Sequence, residues 1–222
     1  MSHLLKVGGA LLALPGSYAA AQPAPIEPPE DVALYEIDVE RSDLHWLVYR
    51  AGALSRFGHN HVISVGEMTG SVLLHPDLEL SQFEIEIPVD GLVVDDPELR
   101  ALEGEELASE PSAEDVAGTR RNMLSEAVLD AEQHPVLRIT GTGPVVEGGS
   151  ESLDVIVEIL GRSIPLTVPT TVQVSDGTLE ASGMFRLTHE ALGMEPFSAM
   201  VGALQVGEEL DFTYRVTAHR VE

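Results

Sequence analysis

The stretch FEIEIPV, residues 83–89, decides how this chain folds. In an extended strand successive side chains point to opposite faces, so the four apolar side chains of this stretch share one face and Glu84 and Glu86 share the other. The stretch LDFTYRVTA, residues 210–218, repeats the alternation with larger apolar side chains. Such alternation is typical of antiparallel strands that have one face in a core and one in water. The sequence therefore predicts that both stretches are half-buried strands.

Weaker alternation recurs along the rest of the chain. Short runs rich in Gly, Pro, Asn and Asp, such as GTGP and SDGT, separate the alternating stretches and are typical of turns. About eight strands at this spacing indicate an all-β fold, either a sandwich or an up-and-down antiparallel barrel. The further predicted strands are residues 44–49, 70–75, 136–140, 153–159, 164–174 and 179–188.

One segment, near residues 97–125, departs from this pattern. It is too charged for strands, and Ser112 followed by Asp115 resembles a capping box that opens a helix. Val116, Met123 and Leu124 are separated by seven and eight residues and so share one helical face. We expect this apolar face to pack on the sheet. In a barrel, the same helix would also close or line an open end.

The composition excludes several classes of function. The chain has 37 acidic and 12 basic residues and a formal charge of −25, so it lacks the clustered Lys and Arg that bind nucleic-acid phosphates. An anionic membrane surface would repel it. It contains no Cys and no G-x-S-x-G, P-loop, H-E-x-x-H or G-x-G-x-x-G motif. We therefore expect no nucleic-acid partner and no enzymatic activity.

Residues 1–21 have the features of a secretory signal peptide. Lys6 lies in a short basic start, an apolar run follows at residues 7–14, and residues 19–21 form an A-x-A cleavage site. The apolar run is far shorter than the roughly 20 residues that span a bilayer, and no later segment is long enough. We expect cleavage near Ala21 and a periplasmic or secreted protein without a transmembrane segment.

The remainder divides into a tail and one domain. Residues 22–33 contain four Pro and little to bury, which predicts an extended tail or linker. Residues 34–220 are predicted to form a single domain, because nothing in their length requires two cores.

The stretch RFGHNH, residues 56–61, is compatible with two kinds of site. In an extended strand His59 and His61 would project to the same face, which permits metal chelation. A zinc centre usually needs a third protein ligand, and no other candidate has a diagnostic spacing. The residue types at 58–60 also suit a turn, in which a histidine offers hydrogen bonds. We favour a structural role or contact with the polar headgroup of a ligand, and keep a small exported metalloprotein or metal-dependent enzyme using His59 and His61 as the alternative. The other candidate ligands are Glu67, His75, His134 and His189.

Further stretches carry a family resemblance. RRNMLSEAVLDAEQHPVLRITG, residues 120–141, and VGALQVGEEL, residues 201–210, are similar to motifs of the YceI-like family of lipid-binding proteins. The resemblance covers the chain from about Leu34 to Ala218. This chain departs from the family where His134-Pro135 replaces a tyrosine-proline pair, and where an acidic insertion, roughly Leu99 to Asp115, lengthens the helical segment.

The resemblance implies a lipocalin-like antiparallel β-barrel of about eight strands that holds an isoprenoid chain. It further implies a non-catalytic carrier or storage protein for a polyprenyl or quinone-type lipid, with that lipid as its partner and no cofactor. Apolar burial is worth about 25 cal/mol per Å², so a hydrocarbon tail can be bound tightly without catalytic groups. The sequence does not distinguish a hollow barrel from a filled one, and it indicates no protein partner.

The expected ligand-binding residues lie in the interior and at the mouth of this barrel. Arg56 and the two histidines are expected to meet the headgroup where the tail enters. The full expected set is Trp46, Val48, Arg56, Phe57, His59, His61, Phe83, Ile85, Met123, Leu124, Phe185, Phe212 and Tyr214.

Overall fold

The computed structural model describes residues 31–147 and 150–222, and this part of the chain is mainly antiparallel β-structure. The predicted signal peptide and most of the predicted tail lie outside the described residues. The strands are β1 (Ala33–Ile37), β2 (Asp43–Ala51), β3 (His61–Val65), β4 (Thr69–Leu74), β5 (Gln82–Pro88), β6 (Leu92–Val94), β7 (Val136–Glu147), β8 (Ser150–Ile159), β9 (Arg162–Pro169), β10 (Thr171–Ser175), β11 (Thr178–Thr188), β12 (Ser198–Ala199) and β13 (Leu204–Arg220). The α-helices are α1 (Pro97–Leu102) and α2 (Ala113–Leu124). Single 3₁₀ turns occupy Val39–Arg41, Ser55–Phe57, Leu78–Leu80, Val89–Gly91, Glu105–Leu107, Glu190–Leu192 and Met200–Gly202.

Every strand predicted from alternation is present. The predicted strand at residues 164–174 is divided into β9 and β10, and β1 begins at Ala33, the last residue of the predicted tail. The alternation pattern missed β1, β3, β6 and β12. These strands are only two to five residues long, so they contain too few positions to show a period of two.

Several consecutive strands combine into longer bent strands. Between one and five residues separate β1 from β2, β3 from β4, β5 from β6, and β9 from β10. Together with β7, β8, β11 and β13, they make eight long strands, and β12 adds a short pair to β13. The fold is therefore the predicted all-β, lipocalin-like barrel class of about eight strands.

The long strands follow one another around the barrel. Hydrogen bonds join them in the order β6-β3-β2-β13-β1-β4-β5-β7-β8-β9, while β11 pairs with both β13 and β10. No ladder joins β9 directly to β11 in the part of the chain that is described. Only Thr170 separates β9 from β10, so the continuous backbone connects the strand paired with β8 to the strand paired with β11.

Tyr214 on β13 reinforces this junction. It lies in register with Gly183 on β11, and a Cβ atom at Gly183 would come within 2.7 Å of the Tyr214 ring. The ring therefore crosses β11, and its hydroxyl donates a hydrogen bond of 2.9 Å to the carbonyl of Pro169 at the end of β9. Glycine is needed at position 183 because a side chain there would displace the ring.

The deciding stretch behaves as its alternation predicts. Ile85 is 9% exposed, Ile87 1% and Val89 0%, and all three belong to the main apolar core. On the outer face, Arg138 of β7 forms ion pairs with Glu84 and Glu86 of β5. These exposed pairs contribute little to stability, about 0 to 1 kcal/mol each, so burial of the inner face holds the strand in place.

The predicted capping box opens α2. The Ser112 hydroxyl accepts a hydrogen bond of 3.2 Å from the backbone N–H of Asp115, and the backbone N–H of Ser112 donates one of 3.1 Å to the Asp115 carboxylate. Met123 is buried, and Val116 and Leu124 pack against the same core cluster. The apolar face of the helix therefore lies on the barrel.

Candidate ligand-binding site

The barrel encloses a cavity of about 410 Å³ with a mostly apolar wall. This volume lies within the range of about 300 to 1,000 Å³ that is usual for sites binding small ligands. Along β13 alone the wall runs from Leu204 to Val216, which is roughly 40 Å of strand at about 3.3 Å per residue. The cavity is therefore elongated along the strands.

Four aromatic side chains form one side of the wall. Trp46 of β2 stacks on Phe212 of β13 with ring centroids 5.7 Å apart, and Phe212 stacks on Phe185 of β11 at 5.2 Å. Tyr214 meets Phe185 edge to face at 6.2 Å. These rigid rings offer apolar surface to a long ligand along three adjacent strands.

The two ends of the cavity differ in polarity. Val48 pairs with His61 and with Leu210, which places the end of β2, the start of β3 and the start of β13 at one end of the barrel. At this polar end the wall contains Tyr49, Arg50, His59, His61, Thr119, Asn122, His189 and Gln205. The opposite end is lined mainly by apolar side chains, among them Val72, Leu74, Leu153, Val168, Val172 and Leu179. The arrangement suits a ligand with a polar head and an apolar tail.

Helix α2 lies at the polar end. Thr119, Asn122 and Met123 contribute to the wall there. The helix therefore lines this end of the barrel as well as packing on the core, so both of its predicted roles are present together.

His61 is anchored by a buried carboxylate. Its Nδ1 lies 2.6 Å from Oδ2 of Asp95, whose side chain is fully buried and also accepts hydrogen bonds from the Val62 N–H at 3.1 Å and from Arg100 at 2.5 Å. Burial alone raises the pKa of the Asp95 carboxyl. The hydrogen bond from His61, the Val62 N–H and the charge of Arg100 together outweigh burial and hold that pKa below its usual value. Asp95 is therefore an ionised acceptor.

Arg100 ties the acidic insertion to the barrel. Besides Asp95, its guanidinium donates to the carbonyls of Asn60 at 2.9 Å, Leu107 at 2.9 Å and Ser109 at 2.6 Å. Four of the five N–H donors of Arg100 are thus hydrogen-bonded, which offsets the cost of burying its charge. The insertion therefore folds around one buried ion pair beside the start of β3.

His59 has weaker contacts than His61. Its Nδ1 lies 3.3 Å from the Ser109 hydroxyl, its Nε2 lies 3.9 Å from the Asp115 carboxylate, and the two histidine rings have centroids 6.4 Å apart. Within residues 31–147 and 150–222, no group of three or more His, Cys, Asp or Glu side chains is placed to hold a metal ion.

Most of the residues expected at the site lie in the cavity wall. Leu124 packs against the core beside the cavity and does not line it. Arg56 and Phe57 also lie outside the wall: the Arg56 guanidinium stacks over the Phe57 ring at 4.7 Å, and Phe57 is 67% exposed. Of the expected set, the wall contains Trp46, Val48, His59, His61, Phe83, Ile85, Met123, Phe185, Phe212 and Tyr214.

Sequence reasoning missed three residues that shape the polar end. Thr119 lies three residues after Val116 and four before Met123, so helical periodicity would have placed it on the same face. Asp95 and Arg100 lie in an acidic stretch where nothing in the residue types distinguishes a buried ion pair from exposed charges.

In the described part of the chain, helices are too short or too polar to cross a bilayer.

Fold and cavity together define a β-barrel protein of the lipocalin-like class with an apolar internal cavity. The family model described as the YceI-like domain matches residues 35–218, which is most of the chain. The chain therefore belongs to the YceI-like domain family.

Solved structures share this fold at low sequence identity. BcnA of Burkholderia cenocepacia is 13% identical, with a TM-score of 0.58 over 82% of this chain and 98% of BcnA. A polyisoprenoid-binding domain from Saccharophagus degradans, implicated in plant cell wall breakdown, is 8% identical, with a TM-score of 0.57 over 86% of this chain and 99% of that domain. At this identity the likeness shows the fold alone. Among curated proteins, no sequence matches this chain.

Proposed function

We propose that this protein binds an isoprenoid lipid, of the polyprenyl or quinone type, inside its barrel and acts as a non-catalytic carrier or storage protein. The observation that carries the proposal is the elongated apolar cavity that becomes polar at one end. Each buried CH₂ group is worth about 0.8 kcal/mol, so a long tail supplies most of the binding free energy. Membership of the YceI-like family and the described ligand class of the Saccharophagus degradans domain support the same ligand.

The proposed site divides into a tail region and a headgroup region. The tail contacts the aromatic and aliphatic wall, including Trp46, Phe185 and Phe212, and the headgroup lies at the polar end near His59 and His61. Arg56 and Phe57 are proposed only as surface residues near this end. No cofactor other than the lipid is proposed.

We further propose that the protein works outside the cytoplasm. This proposal rests on the sequence of residues 1–21, whose apolar run and A-x-A site suit export. N-terminal sequencing of the mature protein tests it, with Gln22 as the expected first residue and an intact Met1 as the contrary result.

The proposed function is tested by mass spectrometry of an organic extract of the purified protein, with metal analysis of the same sample. We expect an isoprenoid lipid in near-stoichiometric amount. Ala181 lines the cavity, so Ala181→Phe fills space that the tail occupies and should sharply reduce the bound lipid.

Ser182→Phe is the matched control. Ser182 is the next residue of β11 and lies in register with the exposed Arg215, on the outer face. This variant should keep its lipid. Absence of lipid from the folded wild-type protein contradicts the proposal. Stoichiometric zinc, copper or iron that disappears when His59 and His61 are both changed to Gln would instead support the metal-site alternative.

A further inference from the structure

We propose that His61 recognises the headgroup and selects a neutral lipid with a terminal hydroxyl, such as a prenol or a quinol, by accepting a hydrogen bond at Nε2. This inference rests on the proposed lipid-binding function and names the chemical class of the ligand. The inference rests on the contacts of the two ring nitrogens of His61, Nδ1 and Nε2.

The Nδ1 edge of the ring carries the proton. Nδ1 lies 2.6 Å from Asp95, and an ionised carboxylate can only accept a hydrogen bond. In the neutral imidazole, the other ring nitrogen is then an acceptor. The Asp95–Arg100 pair therefore determines the tautomer in which His61 meets a ligand.

The Nε2 edge faces the cavity with room for a partner. Asp95 is not part of the wall, whereas Thr119, near Nε2, is. The Thr119 hydroxyl lies 3.5 Å from Nε2, at the outer limit of a hydrogen bond. This long contact leaves Nε2 able to accept a better hydrogen bond, so a ligand hydroxyl at this position is favoured over a group that cannot donate.

The polar end offers few cations to an anionic headgroup. Arg50 supplies the only Arg or Lys side chain among the described residues of the wall, and its guanidinium already donates to the carbonyl of Gly58 at 2.6 Å. Arg100 already makes four hydrogen bonds, to Asp95 and three carbonyls, and Arg56 stacks on Phe57 outside the wall. A phosphate beside His61 would also lie close to the Asp95 carboxylate.

His189 provides an internal comparison. Its Nδ1 lies 3.1 Å from the Glu208 carbonyl, so its Nε2 is an acceptor in the same way, and it also lines the polar end. His189 follows strand β11, whereas His61 begins strand β3. Two strands, β13 and β2, separate β11 from β3 in the barrel. Because α2 places the Thr119 hydroxyl 3.5 Å from Nε2 of His61, we assign the headgroup contact to His61.

Competition between three probes with the same C20 chain tests the proposal. The purified protein is incubated with equal amounts of geranylgeraniol, its methyl ether and geranylgeranyl phosphate, and the retained probes are measured by mass spectrometry. A neutral hydrogen bond is worth about 0.5 to 1.5 kcal/mol, so the alcohol should be retained about 3- to 10-fold better than the ether. The phosphate should be retained less than the alcohol.

Two variants locate the contact. In His61→Leu the alcohol and the ether should be retained about equally, and uptake of the ether should continue. His134→Leu, at a histidine outside the cavity wall, should keep the wild-type ratio of alcohol to ether. As a readout on the unmodified protein, the ¹⁵N resonance of His61 Nε2 should move when the alcohol is added and stay in place with the ether.

Each contrary result has a distinct meaning. Equal retention of alcohol and ether by the wild-type protein, better retention of the phosphate, or a preference that survives in His61→Leu overturns the proposal for His61. Uptake of none of the three probes overturns the proposed lipid-binding function as well. If His61→Leu does not fold, the wild-type ratios and the ¹⁵N resonance still decide the question.

Discussion

At the scale of single residues, Asp95 carries an ionised carboxylate that is fully buried. This carboxylate accepts hydrogen bonds from His61, the Val62 N–H and Arg100. It therefore joins the polar end of the cavity to the acidic insertion. Such a pair adds little net stability compared with apolar residues of the same shape, but removal of one partner leaves a buried charge uncompensated. In this protein the Asp95–Arg100 pair holds His61 in one orientation.

Asp95→Asn should lower the free energy of unfolding at pH 7 by about 3 to 5 kcal/mol, because Arg100 loses its counter-ion. The folded-state pKa of Asp95 lies below its usual value of 3.8, so the contribution of the ionised carboxylate is present above about pH 4 and is lost as pH falls through the lowered pKa. The difference between wild type and variant should therefore shrink below about pH 4. Urea unfolding at a series of pH values measures it.

Asp90→Asn is a suitable control for this prediction. Asp90 is exposed, and its contact with Arg120 uses the backbone carbonyl, which the substitution keeps. Its free energy of unfolding should stay within about 0.5 kcal/mol of the wild type. A difference for Asp95→Asn that does not depend on pH would show that the carboxylate is not ionised in the folded protein.

At the scale of secondary-structure elements, the junction between β9 and β10 decides whether the sheet becomes a barrel. β9 pairs with β8 and β10 pairs with β11, so one covalently continuous strand exchanges partners at Thr170. The Thr170 N–H donates to the carbonyl of Glu151 at 3.0 Å. On the inner side of the junction, the Tyr214 hydroxyl donates a hydrogen bond to the carbonyl of Pro169.

Tyr214→Phe should lower the free energy of unfolding by about 1 kcal/mol, because the Pro169 carbonyl loses its donor. Burial raises the pKa of the Tyr214 hydroxyl, so it remains a donor at neutral pH. Hydrogen exchange should also quicken in β10 relative to β5. Urea unfolding and amide exchange measure the two effects.

Tyr35→Phe is the matched control for barrel closure. Tyr35 is equally buried, on β1, and its hydroxyl makes no side-chain hydrogen bond within the described residues. This change should leave both stability and exchange in β10 nearly unaltered. An equal loss in both variants would mean that the hydroxyl of Tyr214 does not stabilise the junction.

At the scale of the whole molecule, a strongly acidic exterior surrounds an apolar interior. The formal charge of −25 comes from 37 acidic and 12 basic residues, and eight of the carboxylates pair with an arginine in the described structure. Repulsion among the remaining carboxylates opposes the compact state. Stability therefore depends on how strongly the solvent screens them.

The free energy of unfolding at pH 7 should rise between about 0.01 M and about 1 M NaCl, because the Debye length falls from about 30 Å to about 3 Å over that range. The same titration at about pH 4.4, close to the isoelectric point, should show a much smaller rise, because net repulsion is absent there. Chemical unfolding at each salt concentration measures both. A fall in stability with salt at pH 7 would show that ion pairs outweigh repulsion.

The strands and the capped helix were predictable because their signals are local. FEIEIPV and LDFTYRVTA alternate over enough residues to determine which side chains face inward, and Ser112 with Asp115 completes a cap within three residues. The short strands and the break at Thr170 were not predictable, since they depend on where the sheet must bend to close.

By itself, the sequence determined the all-β class, the inward faces of the long strands, the position of α2 and the resemblance to the YceI-like family. The tertiary structure alone decided that the barrel encloses a cavity, that this cavity is polar at one end, and that Asp95 and Arg100 lie buried behind His61. The physical reason is the range of the interactions. Alternation and capping act between residues a few positions apart, whereas a cavity and a buried ion pair depend on how closely distant strands and the insertion approach each other.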